Sequence, residues 1–363
     1  MKNVSTLMDK AERPIRAVQF GTGNFLRAFA DWMLEIVNEK TDWNGSVVMV
    51  KSTGHGSLSA LKGQDCVYTV ALRGLENGAP VERFCTVTCV SDVLACPAEY
   101  DRVLALAKLP ELRFVLSNTT EAGIAWDERD EAADRPPRSF PAKLTQLLYA
   151  RAQAFDYAGN KGLIMLPMEL IDDNGGALRT LVVRYAEKWA LGERFLNWLD
   201  ESCAFASTLV DRIVTGKPAD ADALCAKLGV QDDCLVAAEP YMSWVIACDR
   251  EIEEELPLQK AGLPVIYAQD LAPYRTRKVR LLNGAHTSFV PAAYLAGFDI
   301  VRDAVLDPDF GRFIRKTLEK EILPTIDQPE EELRAFANSV LERFANPYID
   351  HSLLAICLNS VSK

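Results

Sequence analysis

Apolar positions along this chain change their period once, and the change divides it. Residues 15–20, IRAVQF, form a short apolar run that leads through GTGNF into a helical pattern lasting to about residue 39, so the opening predicts strand, glycine turn and helix. VVMV at 47–50 predicts a second strand, and the alternation between residues 67 and 93 around Asn77-Gly78 predicts a β-hairpin. A helix near 97–108 then leads to the strand RFVLS at 113–117, which empties into NTTEAG. Residues 127–138, highly charged with two prolines, predict a mobile loop. A helix from Pro141, a strand LIMLP from Leu163, the segment MELIDDNGG and helices over 177–189 and 193–206 follow. Residues 239–246 and 264–270 read as further strands of the same part. From about residue 276 the strands stop, and helical patterns occupy 278–295, 309–323, 330–344 and 352–360, punctuated by Pro324, Pro329 and Pro347.

The fold class predicted is α/β: a Rossmann-type dinucleotide-binding domain with a β-hairpin insertion over residues 1–275, then an all-helical domain over 276–363. Gly21 allows the tight turn, Gly23 lets a backbone approach a pyrophosphate, and Asn24 and Phe25 open a helix whose free N–H groups suit an anion. The third glycine of the usual pattern is replaced by Leu26, so the fingerprint is incomplete. Where an acidic residue would meet the ribose of NAD, the second strand ends in Lys51 and Ser52, which leaves NADP open beside NAD. Asn118 and Thr119 lie at the carboxyl end of a parallel strand, the ligand end in such folds. Glu169, Asp172, Asp173 and Asn174 crowd another strand end; for the aspartates a turn and helix start is the better reading than acid–base work.

Composition narrows the chemistry. A chain of 363 residues that is 49% hydrophobic buries a full core. A net charge of −11 argues against a nucleic-acid surface while leaving a small anionic ligand open. No segment approaches the roughly 18 apolar residues that span a bilayer, and the first twenty residues carry charge without an apolar run, so the expected location is cytoplasmic. Nine cysteines without paired spacing, and three histidines in all, point to reduced thiols and no metal site.

The stretch KVRLLNGAHT at 278–287 offers a lysine, an asparagine and a histidine. On a regular helix Asn283 falls about 140° and His286 about 80° around the axis from Lys278, close enough to share a cleft. A lysine with a lowered pKa can exchange a proton near neutrality while an amide and an imidazole position an oxygen, the parts that carbonyl reduction needs. On spacing alone, an amphipathic helix with a snorkelling lysine explains the same residues better.

Taken together, FGTGNFLRAF, VLSNTTEAGI, FPAKLTQLLYAR, MELIDDNGG, STLVDRIVTG, KVRLLNGAHT and NPYIDHSLL resemble the polyol-specific long-chain dehydrogenases, the mannitol dehydrogenase family, and within it the branch acting on hexuronates. The resemblance implies NAD(H)-dependent interconversion of D-tagaturonate and D-altronate, without a metal, in a site between the two domains. It implies Lys278 as the proton donor to the ketone oxygen, Asn283 as a donor to that oxygen, and His286 as the holder of a substrate hydroxyl. The fructuronate/mannonate reaction and hexitol oxidation are the enzymatic alternatives. The second asparagine of the polyol enzymes is matched here by Leu170, with Asn174 or Asn118 as substitutes. A uronate carboxylate calls for a cation, and Lys143, Arg280 and Lys363 are the candidates. Chains of this branch continue beyond SVSK, so an alternative of another class is a shortened, inactive nucleotide-binding or scaffold protein.

Overall fold

A computed structural model describes residues 1–7, 10–52, 56–120 and 122–357. Its main sheet has six parallel strands, in spatial order Val90–Ala95, Ser46–Lys51, Ile15–Phe20, Phe114–Ser117, Ile164–Pro167 and Ala204–Phe205. Numbered along the chain this is 3-2-1-4-5-6, the doubly wound order of a dinucleotide fold. The apolar runs that make these strands carry no alternation because both faces are covered. One face packs on the helices Cys96–Ala105, Phe140–Ala154, Asn174–Lys188 and Glu193–Ser202 through a core that includes Phe20, Val50, Leu144, Leu147, Val182 and Phe195.

The hairpin forms where the sequence places it, as Tyr68–Glu76 and Ala79–Val87. Asn77 and Gly78 have φ of +53° and +76°, the two positive values a tight hairpin turn of two residues requires. The strands expected at 239–246 and 264–270 also form, as Ser243–Ala247 and Val265–Ala268, but outside the main sheet: they join Ser207–Asp211 in a separate three-stranded sheet. Their pairing differs from that of the main sheet: Ser243–Ala247 runs antiparallel to Ser207–Asp211 and parallel to Val265–Ala268. The loop at 127–138 is irregular as expected, but tied down. Asp130 is fully buried and accepts from the N–H groups of Arg138 and Ser139 at 2.5 and 3.0 Å, and Lys188 and Trp189 donate to its carbonyl. One inward carboxylate thus holds a segment whose composition suggests freedom.

Backbone proximity divides the chain into two compact units, residues 1–71, 84–237 and 242–269 in the first, and 72–83, 238–241 and 270–363 in the second. The second is helical from Ala272 on, with Gly284–Leu295, Val301–Leu306, Pro308–Thr317 and Glu330–Phe344 gathered around Leu281, Phe289, Ile314, Leu333, Val340 and Phe344. Within it Arg343 and Glu239, 6% and 1% exposed, form a buried ion pair with Nη2 to Oε1 at 2.8 Å. Among the described residues no helix is long and apolar enough to cross a membrane, and no group of histidine, cysteine and acidic side chains is placed to hold a metal.

Candidate active site

In the first unit the ligand end is the crevice between the Ile15–Phe20 and Phe114–Ser117 strands, where the order of the sheet reverses. Gly21 opens it with φ of +135°, its N–H donates to Val50 O at 3.0 Å, and a Cβ there would meet Leu26 Cδ1 at 2.7 Å and Asn118 O at 3.2 Å. Only glycine fits. Gly23 has an ordinary extended backbone and a Cβ on it would meet nothing within 4 Å. Among the described residues nothing demands glycine at 23, and the open space in front of its backbone leaves room for a pyrophosphate, so the residues present fit a dinucleotide.

Asn24 and Phe25 begin a helix in three consecutive segments, Asn24–Leu26, the π turn Arg27–Asp31, and Trp32–Lys40. Asn24 Oδ1 accepts from Arg27 Nη2 at 2.6 Å, and Phe25 stacks on Phe29 with ring centres 4.9 Å apart. Leu26, in place of the third glycine, is buried against Gly21. At the end of the second strand the Ser52 hydroxyl is buried and finds no hydrogen-bond partner among the described residues.

Asn118 and Thr119 stand across the crevice. Asn118 Nδ2 donates to Met168 O at 2.7 Å, and Thr119 gives both its N–H and its hydroxyl to Glu169 Oε1 at 2.9 Å. The other oxygen of Glu169 takes the Ser117 hydroxyl at 3.0 Å. Glu169 is therefore a clamp between two strand ends. Asn174 is also committed: its Nδ2 lies 3.1, 3.0 and 3.0 Å from the carbonyls of Pro167, Glu169 and Thr208, and its Oδ1 accepts from Thr208 N at 2.8 Å. Asn174 is thus held by backbone at both ends of its amide, whereas Asn118 keeps one Nδ2 hydrogen and its Oδ1 beyond the bond to Met168 O. Leu170, at the position of the missing second asparagine, is 58% exposed beside a hollow lined by Asn118, Thr120, Ala122 and Glu169. Asp173 caps the Asn174–Lys188 helix by accepting from Gly176 N at 3.2 Å, the structural role expected for it.

In the second unit the lysine, asparagine and histidine lie where a helix is interrupted. Ala272–Lys278 is α-helical, Val279–Asn283 is a π turn in which Gly284 N–H donates to Val279 O, and Gly284–Leu295 resumes the α-helix. A π turn absorbs one extra residue. Counted on α-helical periodicity, Asn283 then falls where i+4 would and His286 where i+7 would, about 40° and 20° from Lys278 instead of about 140° and 80°. The interruption converts a loose spacing into one face. Lys278 and Asn283 are half-buried and His286 is buried, its ring stacked on Phe344 at 4.4 Å and edge-on to His351 at 5.3 Å.

The three cations behave differently from one another. Lys143 is 3% exposed and its ammonium donates to Arg138 O at 2.5 Å; burial lowers its pKa. It is a structural lysine and is not presented as a carboxylate partner. Arg280 is exposed and donates to the Thr325 carbonyl at 2.6 Å. Lys363 lies outside the described residues.

A six-stranded doubly wound sheet with a glycine turn at its switch point, followed by a helical unit carrying lysine, asparagine and histidine on one face, defines a dehydrogenase of the two-domain Rossmann class. The chain belongs to the mannitol dehydrogenase family: residues 15–260 match the mannitol dehydrogenase Rossmann domain and residues 270–363 the mannitol dehydrogenase C-terminal domain. Membership brings a nicotinamide dinucleotide as cofactor. Proteins named altronate oxidoreductase are similar to it, one from Yersinia enterocolitica at 48% identity over 352 residues, covering 96% of this chain and 73% of that one. Another, from Phocaeicola vulgatus, is 46% identical over 355 residues, covering 98% and 74%. Among solved structures, a D-sorbitol dehydrogenase in substrate-free form superposes with a TM-score of 0.81 at 26% identity, over 98% of this chain and 77% of that one. A Pseudomonas fluorescens mannitol 2-dehydrogenase, in ternary complex with NAD and D-mannitol, shares the fold with a TM-score of 0.79 at 22% identity, over 96% and 72%.

Proposed function

We propose that this chain is an NAD(H)-dependent oxidoreductase that interconverts D-tagaturonate and D-altronate, with residues 1–275 serving the cofactor and 276–363 the substrate. The observation that carries the chemistry is the π turn Val279–Asn283, which gathers Lys278, Asn283 and His286 on one face. The substrate follows from the relatives named altronate oxidoreductase. Nine free cysteines suit the reducing cytoplasm in which such a pathway runs.

When bound, the nicotinamide supplies or accepts the hydride. The protein's own residues handle the oxygen. Lys278 gives its proton to the ketone oxygen of tagaturonate and takes it back from the altronate hydroxyl, Asn283 donates to the same oxygen as negative charge develops there, and His286 holds a neighbouring hydroxyl. Gly21, Gly23, Asn24 and Phe25 cradle the pyrophosphate, Asn118 and Thr119 line the crevice, and Ser52 meets the adenosine ribose. Of the cations, Arg280 and Lys363 remain for the uronate carboxylate. The absence of an acid after the second strand makes NADPH the second cofactor to assay.

NADH oxidation with tagaturonate, fructuronate and fructose, beside Lys278→Met, tests the reading. Turnover with tagaturonate and a loss of about 100-fold or more in the variant, with NADH binding intact, are expected. Turnover only with another of the three ketones overturns the substrate assignment, and an unchanged rate in the variant overturns the mechanism.

A further inference from the structure

Behind the glycine turn lies a buried polar cluster that cofactor contact does not account for. Gln19, two residues before Gly21, is fully buried, and its Nε2 donates to Gly21 O at 3.2 Å and to Asp31 Oδ2 at 3.3 Å. With the Gly21 N–H already given to Val50, the first glycine of the turn is fastened from the interior at both its backbone groups. Asp31 closes the π turn Arg27–Asp31, is fully buried, and accepts from the Tyr68 hydroxyl at 2.9 Å. Two acceptors in this cluster, Asp31 Oδ1 and Gln19 Oε1, are buried with no hydrogen-bond partner among the described residues. A pair of orphan acceptors is costly and is relieved if one of them gains a proton.

Resting on the reading that this turn holds the dinucleotide, we propose that Asp31 is a positioning residue: ionised, it holds the Gln19 amide, which holds the Gly21 carbonyl toward the interior and away from the pyrophosphate; protonated, it releases both. The same Gln19 NH2 makes both bonds, so they break together. A protonated Asp31 Oδ2 offers an O–H where it had accepted from Gln19, and a flip of the Gln19 amide presents Oε1 to that donor, pairing the orphan Oε1 and withdrawing the donor from Gly21 O.

The groups facing Asp31 are Tyr68 and Gln19 from neighbouring strands, Arg27 and Glu35 from its own helix, and the Cys89 thiol, which donates to its carbonyl at 3.4 Å. Arg212 donates to Ala28 O one turn back along the same helix. Arg27 donates its Nη2 to Asn24 Oδ1 and its Nη1 to Cys234 O, both at 2.6 Å, while its buried Nε finds no partner among the described residues; Glu35 accepts from the N–H groups of Thr88 and Cys89. Burial pushes the Asp31 carboxyl up to about 7, against the pull of Tyr68, Gln19 and Arg27 and with a further push from Glu35. The switch therefore falls within the working range of an enzyme, with the cofactor held tighter on its alkaline side.

The test is the Kd of NADH by fluorescence titration between pH 6 and 8, without substrate, for the full chain, Asp31→Asn and Gln19→Leu. The wild type is expected to bind roughly three- to tenfold more weakly at pH 6 than at pH 8. Asp31→Asn, which keeps the shape but does not titrate, is expected to flatten that slope; Gln19→Leu, which cuts the link while leaving Asp31 free to titrate, is expected to flatten it at the weak-binding level. All histidines remain in both variants, so a slope due to them persists. A flat wild-type profile, or a wild-type slope in either variant, overturns the proposal and leaves the cofactor reading standing. Failure of every form to bind NADH or NADPH overturns both.

Discussion

The clamp made by Glu169 can be taken apart by chemistry that separates its shape from its charge. Its carboxylate is 2% exposed and receives three donors, Thr119 N–H, Thr119 hydroxyl and Ser117 hydroxyl, at 2.9, 2.9 and 3.0 Å. In Glu169→Gln the amide oxygen can keep both Thr119 donors, while the NH2 group meets Ser117 Oγ, whose hydroxyl turns to accept. Every contact survives and only the charge assistance is lost, about 1 to 2 kcal/mol. Glu169→Ala leaves the donors of Ser117 and Thr119 unmatched beside a new cavity, about 3 to 5 kcal/mol. Because Thr119 stands at the crevice proposed for the cofactor, the alanine variant is expected to raise the Kd of NADH by tenfold or more and the glutamine variant by less than about threefold. Urea unfolding followed by NADH titration of both variants reads the two quantities. If glutamine is as harmful as alanine, or removes a limb of the pH–rate profile, Glu169 is an acid–base group and the clamp reading is refuted; an alanine variant within about 1 kcal/mol of wild type refutes it from the other side.

Glu239→Gln removes the countercharge of the buried Arg343 guanidinium and is expected to cost about 3 kcal/mol or more, read as a fall in the urea midpoint, whereas replacing both residues by methionine restores most of the loss; a single variant within about 1 kcal/mol of wild type would count against the pair. Deleting Val279, which is 47% exposed, turns the π turn into regular helix and leaves Asn283 and His286 four and seven places after Lys278, so NADH oxidation is expected to persist within about tenfold. An alanine inserted after Val279 swings Lys278 by about 100° and abolishes turnover, and equal effects of deletion and insertion would sink the angular argument.

Much of the fold was legible because it depends on period and punctuation. The short, largely apolar runs at 15–20, 113–117 and 163–167, bounded by turn residues, read as strands covered on both faces, and Asn77-Gly78 supplies the two positive φ values that its hairpin needs. Which sheet a late strand joins is a property of winding, so Ser243–Ala247 and Val265–Ala268 were readable as strands but not as a separate sheet. Buried polar residues were the least legible. Asp130, Lys143, Glu169 and Asn174 carry the same letters as exposed or catalytic groups, and only the backbone atoms brought to them from up to 50 residues away show that they are ties.

The lysine, asparagine and histidine show why a motif can be recognised before its geometry makes sense. On a regular helix a spacing of five and eight residues spreads them over more than a third of the circumference, so spacing alone favours an amphipathic helix for KVRLLNGAHT. Local propensity gives no warning, since Val279, Arg280, Leu281 and Leu282 are ordinary helical residues. Leu281 and Leu282, both buried in the helical core, fix the C-terminal half, while the N-terminal half is held by Arg277, which pairs with Glu332 at 3.2 Å and lies over Phe336. A helix whose two ends are packed against the same neighbouring core can absorb a surplus residue between them in a π turn, here Val279–Asn283. Substitutions at Leu281 or Arg277 should accordingly disturb catalysis without touching a catalytic group.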